Sequence, residues 1–226
     1  MSKAKIKEYF VSIQGEGPYV GYRQLFIRFC GCNLNCKYCD TDFSAESGYS
    51  EFSPAELFKK LDTDGFLENI QSVSLTGGEP LLYVDFLKSF LPLLNGKLSV
   101  YLETNATLSK KLSEIINYID IISADIKLPS SSGHDLMKVH DEFFKLCREK
   151  NVFVKVVFDE NITEEELESV CGIAEKHDLE LVLSPVMKDN KPVVNAEFMQ
   201  NILQKAAKIY PNVRLIPQVH KFLNLE

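Results

Sequence analysis

From residue 50 onward the chain alternates short, β-branched apolar runs with longer stretches of helical periodicity, and that alternation limits the folds open to it. The runs start at Val73 (VSLTGG), Leu98 (LSVYLETN), Ile121 (IISADIKL), Val152 (VFVKVVF), Leu179 (LELVLSPV) and Val213 (VRLIPQV). Between them lie segments with helical start signals. Ser53, Pro54 and Glu56 stand where a capping box needs them, as do Thr163 and Glu166. Strand, helix, strand, helix implies crossover units and a parallel sheet. LFIRF, Leu25 to Phe29, supplies a first strand, for a total of about six or seven parallel strands, fewer than the eight of a closed barrel. The expected fold is α/β, an incomplete (β/α) barrel, with a flavodoxin-like open sheet as the alternative. Residues 1–226 read as one domain, and PSSSGHD, Pro129 to Asp135, as its most flexible loop.

Four of the six cysteines fall between Cys30 and Cys39, in RFCGCNLNCKYCDTDF. Cys32, Cys36 and Cys39 spell C-x-x-x-C-x-x-C on the loop after the first strand. Three thiolates can hold three irons of a four-iron cluster and leave the fourth iron open. A structural zinc prefers a closed set of four ligands, and Cys30 is the candidate fourth. Cys30 is better read as the last side chain of the strand. Cys147 and Cys171 sit on apolar helical faces and read as buried structural thiols. Clustered cysteines of this kind belong to a reduced cytoplasm. The N-terminal residues lack the apolar region of a signal peptide, and no apolar run is long enough to span a membrane. With 25 Lys and Arg against 32 Asp and Glu, the net charge of −7 gives no sign of a nucleic-acid partner.

The cysteine spacing, joined to TGGEP (Thr76 to Pro80) at the end of the next strand, resembles the radical S-adenosylmethionine (SAM) superfamily. The resemblance implies a [4Fe-4S] cluster whose open iron is chelated by SAM. The reduced cluster then cleaves SAM to a 5′-deoxyadenosyl radical. It also implies that Tyr38, Cys39 and Asp40 lie beside SAM, and that Gly77, Gly78 and Glu79 grip its amino group. Glu103 and Asn105, at the end of the third strand, and Asp125 and Lys127, at the end of the fourth, are expected to bind SAM too, because parallel strand ends converge on one face.

Three more stretches, SIQGEGPYVG (Ser12 to Gly21), CDT (Cys39 to Thr41) and IPQVHKFLNLE (Ile216 to Glu226), resemble the 7-carboxy-7-deazaguanine synthase family. That resemblance implies a radical ring contraction of 6-carboxy-5,6,7,8-tetrahydropterin, with loss of ammonia. Carried over by motif, Ile13, Gln14, Gly15, Arg28, Thr76, His220 and Glu226 would meet the substrate, and Thr41 would bind Mg²⁺. An arginine suits a substrate carboxylate because its planar fork binds two oxygens at once. The family also implies a homodimer, an external one-electron donor such as flavodoxin or ferredoxin, and a C-terminal tail folded into the site. Asp125-Ile126-Lys127 replaces the Ser-Pro-Lys of many members and keeps a glycyl-radical-enzyme activating enzyme as the alternative.

Replacing Cys32, Cys36 or Cys39 by Ala should each abolish assembly of a SAM-cleaving cluster, whereas Cys30→Ala should leave the iron content unchanged. Iron analysis of anaerobically reconstituted protein checks this. Loss of iron in Cys30→Ala would instead make a closed four-cysteine site.

Overall fold

The computed structural model describes residues 2–39 and 43–225. The chain opens with β1 (Ala4–Ile13) and turns through residues 14–22 into β2 (Arg23–Phe29), which runs antiparallel to it. Then follow β3 (Ser50–Phe52), α1 (Pro54–Thr63), β4 (Ser72–Gly77), α2 (Val84–Leu94), β5 (Ser99–Thr104) and α3 (Ser109–Ser113). The second half holds β6 (Ile121–Ile126), α4 (Pro129–Ser132), α5 (Met137–Lys145), β7 (Asn151–Phe158), α6 (Glu164–His177) and β8 (Glu180–Pro185). After a small hairpin, β9 (Met187–Lys188) and β10 (Lys191–Pro192), come α7 (Ala196–Ile209), β11 (Val213–Leu215) and α8 (Val219–Phe222).

The main sheet has nine strands in the order β11-β8-β7-β6-β5-β4-β2-β1-β3. From β2 to β11 every neighbouring pair is parallel, as the alternation requires. LFIRF is the second strand rather than the first. β1 escapes sequence reading because its register shifts between Ile6 and Glu8. Ala4 and Ile6 point into the core before the shift, and Tyr9 and Val11 pack against it afterwards, so no single period-two pattern spans the strand.

The two faces of the parallel sheet differ in character. Val73, Leu75, Leu102, Ile122, Ala124, Val154, Val156, Leu181 and Leu183 lie in the core that the helices cover. The alternate residues turn to the barrel interior. Tyr101, Phe153 and Val182 form a small apolar floor there, against which Tyr19 of the β1–β2 turn packs. Beyond this floor the interior residues become polar: Ser74 and Thr76 on β4, Glu103 on β5, Ser123 and Asp125 on β6, and Lys155 on β7. A strand such as VFVKVVF is therefore buried on both faces but apolar on only one along its whole length.

Both capping boxes form, Ser53 with Glu56 and Thr163 with Glu166. Glu166 does more than cap α6. One oxygen accepts from Thr163 N at 3.0 Å and the other from Ser130 N at 2.6 Å. Ser131 and Ser132 donate their hydroxyls to Leu128 O, so PSSSGHD begins as a pinned helical turn rather than a loose loop. Among the described residues no helix is long and apolar enough to cross a membrane. Removing the Glu166 carboxylate leaves two backbone donors, Ser130 N and Thr163 N, without their partner in a partly buried place. Glu166→Ala is expected to lower unfolding free energy by about 2 kcal/mol, measured by urea denaturation. An unchanged midpoint would show that the Ser130 turn holds without it.

Candidate active site

A cavity of about 600 Å³ opens at the C-terminal ends of the parallel strands, where such folds place their ligands. Its wall gathers Cys32, Cys36 and Cys39 with Tyr38, and also Gly77, Gly78, Asn105, Asp125 and Lys127. The residues expected at the substrate, Ile13, Gln14, Gly15, Arg28, Thr76 and His220, line the same space. Asp40, Thr41 and Glu226 lie outside the described residues.

The cysteine loop is held by backbone contacts at its base. Gly78 N donates to Phe29 O at 3.1 Å and Glu79 N to Gly31 O at 2.9 Å. A β-carbon on Gly78 would stand 1.9 Å from Gly31 O, and one on Gly77 would stand 2.3 Å from Phe29 O. The paired glycines thus permit the TGGEP turn to lie against the chain's own cysteine loop. Further along, Asn105 Nδ2 donates to Asn33 Oδ1 at 2.9 Å and lies 3.8 Å from Cys32 Sγ, while Asn33 Nδ2 donates to Thr107 Oγ1 at 2.9 Å. Lys37 N donates to Ser131 O at 3.2 Å. Burial raises the pKa of the Cys32 and Cys36 thiols, so taking up iron as thiolates must release protons. Cys30 is fully buried and is not part of the cavity wall. Cys147 and Cys171 are buried as expected, their thiols pushed up to about 12 and about 11 by desolvation.

Two of the residues expected at SAM have protein partners of their own. Glu79 is fully buried behind the cavity wall. Its carboxylate accepts from Leu81 N at 3.0 Å, Asn105 N at 2.8 Å and the Thr104 hydroxyl at 2.9 Å, so it ties the TGGEP turn to the end of β5. Glu103 points into the cavity but on the other side. It accepts from Gln14 Nε2 at 3.0 Å, Ser74 Oγ at 3.2 Å and Thr76 Oγ1 at 2.8 Å. It therefore sits with the residues expected at the substrate. Arg28 pairs with Glu8 through Nε at 2.6 Å.

A line of opposite charges crosses the cavity. Glu16 pairs with Lys155, Lys155 lies 3.2 Å from Asp125, and Asp125 lies 2.9 Å from Lys127. Lys127 ends the line, with Nζ 3.0 Å from the Tyr38 hydroxyl. Asp125 and Lys155 face each other in the β6–β7 register. Burial would raise the Glu16 pKa, but the Lys155 charge and hydrogen bonds from Lys155 and Gln218 outweigh it and hold the carboxyl at about 2. Burial would lower the Lys127 pKa, but Asp125 and Tyr38 drive it well upward. Burial lifts Tyr38 to about 12, so its hydroxyl keeps its proton. The motifs did not single out Glu16 or Lys155. The signal was a lysine inside the apolar run VFVKVVF, because a cation on a doubly covered strand must have a partner.

The tail reaches the same wall. Val219 N donates to Gly15 O at 2.8 Å, Gln218 Nε2 donates to Glu16 Oε1 at 2.6 Å, and a β-carbon on Gly15 would lie 2.1 Å from His220 Nδ1.

These residues fit an iron–sulfur cluster and SAM. Among the described residues no three His, Cys, Asp or Glu side chains gather as they would round a single ion. Ligands to three different irons of a cube have no need to meet in that way. Asp125 Oδ1 is buried on the cavity wall with no hydrogen-bond partner among the described residues, an acceptor that a ligand's donor can fill.

The partial barrel with its cysteine loop defines the class: the chain belongs to the radical SAM superfamily, whose model matches residues 26–171. It is 38% identical to the 7-carboxy-7-deazaguanine synthase of Geobacter sulfurreducens, over 99% of both chains. It is 32% identical to that of Archaeoglobus fulgidus, again over 99% of both. In fold it is similar to the crystal structure of QueE from Escherichia coli, with a TM-score of 0.67 at 18% identity over 96% of this chain and 95% of that one. Within the superfamily, then, the chain belongs to the 7-carboxy-7-deazaguanine synthase family, and the activating-enzyme alternative falls away. Membership brings with it the [4Fe-4S] cluster and SAM.

Glu79 gives the site a pH signature. Burial outweighs the donors from Asn105, Leu81 and Thr104 and lifts its pKa to about 7. Between about 4.5 and 7 the folded state keeps a proton that the unfolded chain has lost. This contribution to stability is therefore complete below about 4.5 and disappears as pH rises through 7, at up to about 1.4 kcal/mol per pH unit. Glu79→Gln should flatten that part of the stability profile. Denaturation at a series of pH values checks it, and equal slopes in both proteins would show that Glu79 is already ionised in the folded state.

Proposed function

We infer that the chain is a 7-carboxy-7-deazaguanine synthase, converting 6-carboxy-5,6,7,8-tetrahydropterin to 7-carboxy-7-deazaguanine with loss of ammonia. The observation that carries this reading is one cavity bounded by the three cysteines on one side and by Gln14, Arg28, Thr76 and His220 on the other. When bound, the cluster and SAM supply abstraction of the hydrogen at C6 of the pterin. The chain's residues bind and orient around that event.

Asn105, Asp125, Lys127, Gly77, Gly78 and Tyr38 form the SAM side, together with Asp40 by its place in the motif. Asp125 Oδ1 offers an acceptor there, and Lys127 a cation for a carboxylate. On the substrate side Glu8 engages only Nε of Arg28, which leaves the terminal nitrogens for the pterin carboxylate. Gln14, Thr76 and Ser74 all converge on Glu103, and this group presents both donors and acceptors to a heterocycle edge. Ile13, Gly15 and His220 complete this wall, joined by Glu226 through its place in the motif alone, and the tail is held by Gly15 and Glu16.

Mg²⁺ held by Thr41 is part of the proposal, as are an external one-electron donor such as flavodoxin or ferredoxin, a homodimer and a cytoplasmic setting. The exposed apolar side chains Phe222 and Leu223 support the dimer, as a surface for a second copy. Residues 1–226 are taken as one radical SAM domain whose tail closes the site.

Anaerobic reconstituted protein given SAM, dithionite and carboxytetrahydropterin should produce the deazapurine chromophore. Its absence with an intact, SAM-responsive cluster would overturn the substrate assignment. Mg²⁺ keeps several waters and needs few protein atoms, so a single hydroxyl can matter. Thr41→Ala should spare the cluster and slow turnover by about tenfold, or about 1.4 kcal/mol. A wild type whose turnover does not respond to a Mg²⁺ titration would remove the metal from the mechanism.

A further inference from the structure

We propose that His140 is a positioning residue, fixing from behind the barrel wall the ends of β5 and β6 on which the cysteine loop rests. It lies on α5, is fully buried and takes no place in the cavity wall. Its Nε2 lies 3.2 Å from Lys127 N, and its Nδ1 lies 3.2 Å from Ala106 O. A backbone N–H can only donate and a carbonyl can only accept. The two partners therefore define one state of the ring, neutral and protonated on Nδ1. Burial holds its pKa down at about 4, in keeping with that state.

The groups it clamps are each one residue from, or part of, the SAM side. Ala106 adopts a φ of +54°, a conformation that a non-glycine residue rarely takes without support. Its neighbours Asn105 and Thr107 hold Asn33 of the cysteine loop, and Asn105 also approaches Cys32 Sγ. Lys127 meets Tyr38 and Asp125. One imidazole thus ties together the two segments that leave these paired strands, beyond the last register pair of Thr104 with Ala124. Without it, the fully buried Ala106 C=O and the partly buried Lys127 N–H would both lose a partner, and the two strand ends could move apart. The substrate-side group of Gln14, Thr76 and Glu103 makes no hydrogen bond to His140.

This rests on reading Asn105, Asp125 and Lys127 as the SAM side, so the test reads SAM binding without turnover. His140→Phe keeps the ring volume and removes both bonds. In His140→Asn the amide nitrogen stands near the place of Nδ1 but the side chain stops short of Lys127, so only that bond is lost. Both variants keep the three cysteines and should carry as much iron as wild type. SAM titrated against the electron paramagnetic resonance signal of the reduced cluster should bind about tenfold more weakly to His140→Phe, with His140→Asn in between. The KM for the pterin at saturating SAM should stay within about twofold, because a local shift leaves distant contacts in place. Folded variants that bind SAM as wild type does, or that lose SAM and pterin affinity in parallel, would make His140 a packing residue and overturn the inference. If His140→Phe does not fold, His140→Asn decides alone. A wild-type signal that ignores SAM would sink the cofactor reading itself, an outcome distinct from responsive wild type with equally responsive variants.

Discussion

Gly31 O receives a hydrogen bond from Glu79 N, and any side chain on Gly78 would collide with that carbonyl. This close approach of two backbones sets the base of the cysteine loop against the end of β4. The cysteine end of the SAM side inherits its position from it. Glu79 transmits the placement sideways by binding the amide of Asn105, and Asn105 returns to the cysteine loop through Asn33. The glutamate of TGGEP therefore works as a brace between strand ends. Its carboxylate is turned away from the cavity that its neighbours line.

Electrostatics organise the other axis. Four charged side chains in the barrel interior alternate in sign from Glu16 to Lys127, so burial that would neutralise any one of them is offset by its neighbours. The line begins in the β1–β2 turn and ends at Tyr38 beside the cysteines. It joins the two halves of the cavity that the sequence motifs describe separately. Asp125 is one of its two inner members and carries a buried oxygen with no hydrogen-bond partner among the described residues.

Much of this could be read from residues alone, because the signals were local. Crossover strands, both capping boxes and the cysteine loop each depend on spacing within about a dozen residues. What escaped depends on register between distant segments. β1 was hidden by the shift between Ile6 and Glu8. Lys155 acquires its meaning only when β7 is laid beside β6 and Asp125 falls opposite it. Glu103 was assigned by its place at a strand end, but which side of the cavity it serves follows from Gln14, 89 residues earlier in the chain. His140 left no mark in the sequence, since its partners are backbone groups whose identity no residue type reveals.

The docking of residues 218–220 on Gly15 and Glu16 joins segments 202 residues apart. On the ribosome, β1 and the turn after it emerge long before their covering partner. Until residue 220 has left the exit tunnel, the Glu16 carboxylate has Lys155 but not Gln218 as a hydrogen-bond partner, and the Gly15 backbone lies open where His220 will sit. The finished cavity wall is thus a late product of synthesis. A polypeptide interrupted shortly before that point could hold its parallel strands and its cysteine loop and still lack one side of the pocket.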